Sequence, residues 1–129
     1  MKEKVYVGSR ILLGLIFVVF GLNGFFQFLP MPPLPEGAAS FMGGLAGSGY
    51  FFPFLKGTEV VFGALLLAGF AAPLALVVLA PITLNIFLFH WFLTPGIQNS
   101  VMPIVMIALH VLAAMSYWKL YRPLFGKGV

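Results

Sequence analysis

Cysteine is absent from this 129-residue chain, which removes disulfides, thiolate nucleophiles and cysteine-ligated metal or iron–sulfur centres together. Charge is nearly as scarce. Only 8% of the residues are Asp, Glu, Lys or Arg, against about 25% in a soluble globular domain. So little polar surface cannot cover a water-soluble globule. The seven basic residues also form no patch of the kind that holds a nucleic acid, because they flank apolar segments instead of lining one face.

What fills the chain is hydrocarbon: 61% of it is hydrophobic and its mean hydropathy is +1.08. It reads as an all-α integral membrane protein with room for about four spans of roughly 20 residues. The apolar segments are about 5–29, 54–72, 73–93 and 100–120, one membrane domain over 1–129. The first is longer than the apolar region of a signal peptide, about 7–15 residues, and has no small-x-small end, so it reads as a retained span. Repeated proline at 30–35 makes a loop. The Gly- and Ser-rich run at about 37–47 is too short to cross about 30 Å of lipid, and reads as an interfacial or re-entrant helix. The turn near Ala71 to Pro73 is so brief that spans two and three must be antiparallel neighbours. The expected fold is therefore an antiparallel four-helix transmembrane bundle with a short helix between spans one and two.

Lys2, Lys4 and Arg10 open the chain, Lys119, Arg122 and Lys127 close it, and Lys56 alone lies between. Four spans put both termini on one side, and the excess of positive charge there places both in the cytoplasm. With that orientation, Asn23, Gln27, Lys56, Glu59, Asn85, His90, Gln98 and Asn99 all fall in the outer third. Asn23, Glu59, Asn85 and His90 reach similar depth from three helices, which points to a polar pocket beneath the outer surface.

Glu59 is the odd residue of GYFFPFLKGTEVVFGALLLAGF, since a charge near a helix centre costs about 2.5–3.5 kcal/mol to insert. Three readings are open. It pairs with Lys56 one turn earlier, it hydrogen-bonds Asn23, Asn85 or His90 as packing, or it gives and takes protons. His90, beside Trp91 at the rim, is either an interfacial side chain wetted by headgroup water or a group that relays protons, bonds a quinone carbonyl or ligates a metal. His110 lies near mid-membrane, so the numbering argues against a haem shared with His90; no metal site is expected. Pro103, His110 and Tyr117 share a face of span four, and the six methionines have no copper-ligand spacing and read as core filling.

RILLGLIFVVFGLNGFFQFL, then FMGGLAGSGYFFPFLKGTEVVFGALLLAGF, then APLALVVLAPITLNIFLFHWFL resembles the DoxX family of small bacterial four-span membrane proteins. The G-Y-F-x-P-x-x-K-x-x-E block followed by N-I-F-L-F-H carries most of the resemblance, which fades in span four. The recurrent polar positions of the family correspond to Arg10, Asn23, Glu59, Asn85 and His90. The family takes its name from subunits of a thiosulfate:quinone oxidoreductase, so the resemblance implies an inner-membrane redox role, with a partner protein supplying electrons. The resulting expectation is a quinone or similar lipophilic molecule in the outer pocket, with Glu59 and His90 exchanging protons and Asn23, Asn85, Lys56 and Trp91 binding it. A non-catalytic scaffold or assembly factor is the alternative, and a small transporter a third. Glycines along spans one and two supply close-packing surfaces for the bundle or for a homo-oligomer.

Overall fold

The computed structural model describes residues 2–27 and 33–126. Six α-helices and a terminal 3₁₀ turn account for nearly all of them, with no strand among the described residues. They are α1 (Lys2–Phe26), α2 (Glu36–Gly47), α3 (Phe51–Ala68), α4 (Ala72–Leu93), α5 (Ile97–Met115) and α6 (Trp118–Tyr121), followed by the turn Arg122–Phe125. α1, α3, α4 and α5 are each long and apolar enough to cross a membrane. α1 packs on α3 and α5, and α4 packs on the same two helices, giving a four-membered ring with α1 and α4 on one diagonal. The core is Leu13, Phe17, Leu66, Leu76 and Leu79, closed by Met106 and Ala113.

The tightest contact is α1 against α3, and glycine makes it. A Cβ on Gly14 would lie 2.8 Å from the Gly63 carbonyl oxygen, and one on Gly63 would lie 2.9 Å from Phe17 Cβ. Backbones approach this closely only where side chains are missing, and between membrane helices dispersion contacts of this kind replace the hydrophobic drive. Gly69 matters for its backbone instead. At φ 73° it ends α3 in the left-handed region, which glycine enters without the Cβ penalty. Arg10 Nη1 donates to the Leu66 carbonyl across 2.8 Å, putting a cation on the negative end of α3 and pinning that end beside the start of α1.

Helix limits differ from the apolar segments at both ends of α1, α3 and α5, with α3 stopping at Ala68 instead of about 72. α1 starts at Lys2 and stops at Phe26, where Gln27 takes φ 50°; Phe28, Leu29 and Pro30 lie outside the described residues, as does Lys127. α3 starts at Phe51 instead of 54 because Pro53 falls in its first turn, where a missing N–H is harmless. α5 starts at Ile97, which moves Pro103 from the first turn into the helix interior, buried. It also ends at Met115, not near 120: Ser116 and Tyr117 break it, and α6 follows. The Tyr121 hydroxyl then donates to the Pro73 carbonyl at 2.6 Å, tying the C-terminal segment to the α3–α4 turn. Burial, with Tyr117 nearby, pushes this phenol up to about 12.

Arg10 with Leu66, and Tyr121 with Pro73, place both chain ends at one end of the bundle. α2 lies at the other, where Ala38 is buried, the Phe41 and Phe89 rings stand 5.7 Å apart and Gly37 faces Leu93. Its 12 residues cover about 18 Å, too short to span a bilayer.

Candidate functional site

Glu59 is 2% exposed, on the face of α3 turned into the bundle. Lys56, one turn earlier, holds Oε1 of Glu59 at 3.5 Å from its Nζ, the one ion pair found among the described residues. The Lys56 side chain keeps 24% of its surface, and its methylene stem lies over Gly24 of α1. The pair is thus sunk on the carboxylate side and opens toward the α2 end on the ammonium side. A long stem that covers apolar surface while its charged head reaches outward is how lysine behaves near a membrane boundary. Asn23 is buried on α1, the helix that faces this part of α3.

His90 lies on the half-buried side of α4, one turn from its end. Its Nδ1 is 2.8 Å from the Ile86 carbonyl oxygen. A carbonyl only accepts, so Nδ1 carries the proton and Nε2 of the neutral ring keeps its lone pair. Thr94 donates to the His90 carbonyl at 2.9 Å and closes the helix end. Trp91 is exposed and stacks on Phe87 with ring centres 5.6 Å apart.

Asn85 does not join this group. It is exposed, and the expected convergence of Asn23, Glu59, Asn85 and His90 therefore fails at this residue. The reason is helical phase. Ala72, Ala75, Leu76, Leu79 and Thr83 are the buried residues of α4, and at 100° per residue Asn85 falls on the opposite side. No ion pair joins Glu59 to His90 either.

A second buried polar group, near the middle of α4, links α4 to α5. Thr83 Oγ1 lies 2.9 Å from His110 Nδ1, and His110 Nε2 lies 2.8 Å from the Leu76 carbonyl oxygen. Leu76 can only accept, so Nε2 donates and Nδ1 accepts from the threonine hydroxyl. Both nitrogens of His110 are committed inside the bundle. Next to it a cleft of about 730 Å³ opens between the two helices, lined by Leu76, Val77, Ala80, Val111, Trp118 and Phe125 among others. With no spare donor from His110, this cleft offers hydrocarbon contact and little to recognise a polar head. Thr83 stands out in the sequence only as one of the few polar residues of α4 and not as a site candidate, and the cleft is not visible there at all: a threonine is an ordinary small residue in a membrane helix, and no apolar stripe marks the buried side of α4. The two facing positions emerge only when α4 and α5 are packed together. No group of three or more metal-ligating side chains occurs among the described residues.

Comparison with curated proteins and with solved structures finds no match. A family model does match, over residues 6–91, which takes in α1 to α4 nearly whole and leaves His110 outside. That stretch is two thirds of the chain, and the protein belongs to the DoxX family.

Proposed function

We propose that this DoxX protein is a membrane subunit of a redox system in the bacterial cytoplasmic membrane, with both termini cytoplasmic, and that it binds a quinone or similar lipophilic molecule near Glu59. The observation that carries this reading is the buried carboxylate itself. A carboxylate at 2% exposure in an apolar helix, held by a single lysine at 3.5 Å, is costly to keep for packing alone, and such residues mark proton and substrate paths. Quinone reduction takes up two electrons and two protons. Glu59 and the free Nε2 of His90 are the groups that exchange protons, Asn23 and Lys56 supply hydrogen bonds, and Trp91 offers an aromatic face. The electrons come from a partner protein, since this chain has no cysteine and no metal-binding cluster among the described residues.

One observation favours a different class of role, a scaffold or assembly factor. The cation that satisfies Glu59 sits on the same helix, and its stem packs on Gly24, so the pair also serves to lock α3 onto α1. The two readings separate in one experiment. Protein purified in mild detergent is extracted with organic solvent and analysed by mass spectrometry, alongside Glu59→Gln and His90→Ala. Stoichiometric quinone that is lost in both variants while they remain folded supports the redox reading. Quinone-free protein, or quinone retained equally in all three forms, overturns it in favour of the scaffold.

A further inference from the structure

The lipid-facing side of α4 carries one polar side chain, and nothing among the described residues satisfies it. Leu74, Leu84, Leu88 and Phe92 are exposed at 57%, 53%, 38% and 70%. Pro81 and Asn85 are exposed with them. Leu74, Pro81, Asn85, Leu88 and Phe92 recur at spacings of seven, four, three and four, which keeps them within one narrow stripe of a helix. This stripe points away from the buried Ala75, Leu79 and Thr83. Asn85 lies eight residues from the nearer end of α4, about 12 Å, too far for its short amide side chain to reach headgroup water. Its neighbours Thr83 and His90 have hydrogen bonds inside the chain; Asn85 has none among the described residues. Hydrocarbon cannot supply one, and an amide left without partners there is expensive.

We infer that this face of α4 is a homodimer contact in which Asn85 bonds Asn85 of a second copy of this chain across a two-fold axis. The amide is self-complementary: its carbonyl accepts and its NH₂ donates, so two copies related by a two-fold axis satisfy each other with a reciprocal pair of bonds. Asparagine joins membrane helices in this way. The rest of the stripe carries no charge or second polar group that a different protein would have to match. Pro81 lacks a side chain long enough to hold the backbones apart at the centre of the seam. The contact does not depend on whether a redox molecule binds near Glu59, because Asn85 lies on the opposite face of α4 from the core.

The absence of native cysteine makes the test direct. Leu88→Cys is introduced alone and oxidised in native membranes, with Val111→Cys on the exposed face of α5 as the control. The expected result is a product of twice the 14.0 kDa chain mass for Leu88→Cys, at least tenfold more abundant than for the control. Adding Asn85→Leu should remove most of that product, and Asn85→Gln should retain part of it. Because Asn85→Leu places an apolar side chain toward lipid, the monomer should keep its fold, checked by an unchanged melting temperature in detergent at high dilution. Equal cross-linking at the two positions, a product whose mass is not that of two copies, or cross-linking indifferent to Asn85→Leu would overturn the proposal.

Discussion

Thr83 of α4 and His110 of α5 meet through a 2.9 Å hydrogen bond between Oγ1 and Nδ1, and the same imidazole donates from Nε2 to the Leu76 carbonyl at 2.8 Å. One ring thereby bridges two positions of the neighbouring helix separated by two turns. Replacing the hydroxyl by a methyl group in Thr83→Val leaves Nδ1 buried with no donor. The expected loss is about 1 kcal/mol, since hydrogen bonds between membrane helices average near 0.6 kcal/mol and leaving a buried acceptor unmatched adds to that. Unfolding in mixed micelles measures it, and a double variant with His110→Phe should cost less than the two single losses added together.

Gly14 and Gly8 make a controlled pair on α1. A methyl group at position 14 meets the Gly63 carbonyl and Leu66 Cβ inside contact distance, whereas one at position 8 meets nothing within 4 Å. Gly14→Ala should cost about 1–3 kcal/mol through overpacking, and Gly8→Ala should fall within about 0.5 kcal/mol of the parent. Equal losses at the two sites would show that the close approach of α1 to α3 at Gly14 does not limit side-chain size there.

Lys56 and Glu59 should behave as a unit. Removing the cation in Lys56→Met leaves a buried carboxylate uncompensated, at a cost of about 3–5 kcal/mol for a fully buried pair, less here because the lysine is partly exposed. Removing both charges in Lys56→Met with Glu59→Met should restore most of the lost stability. If the double variant is no more stable than Lys56→Met, the 3.5 Å pair does not compensate the carboxylate.

Tyr121 gives a pH-dependent test at the bundle end. Its hydroxyl proton is held by the bond to Pro73, and burial raises its ionisation to about 12, above the usual value near 10. The folded state therefore binds this proton more tightly than the unfolded state. The resulting stability is fully present below pH 10 and is lost as the pH rises through about 12. Tyr121→Phe should lose about 0.5–1.5 kcal/mol at neutral pH and show a flatter decline between pH 10 and 12 when melting is followed in detergent.

The four spans, the short helix between the first two and the oddity of Glu59 were all legible in the sequence. Hydropathy is a sum over local composition, and a lone carboxylate stands out against unbroken Val, Leu and Ala wherever the helix points. The same property made facing illegible. A soluble helix announces its buried side by an apolar stripe, but α4 is apolar all round, so nothing in its sequence distinguishes Thr83, which is buried, from Asn85, which is not. Depth can be counted from residue numbers, and that count grouped Asn23 with Glu59, whose helices α1 and α3 pack together in the structure. Rotation about each helix axis cannot be counted. It was decided by the packing of α1 on α3 at Gly14 and Gly63, and by the bridge from His110 to α4. Proline was misleading for a related reason: a fourth span counted from about 100 puts Pro103 in its first turn, and only the path of the preceding chain, which starts α5 at Ile97, put it inside the helix. The sequence by itself determined that this chain lives in a membrane as four helices with a charge buried among them. The tertiary structure alone decided which polar groups satisfy one another and which is left facing outward.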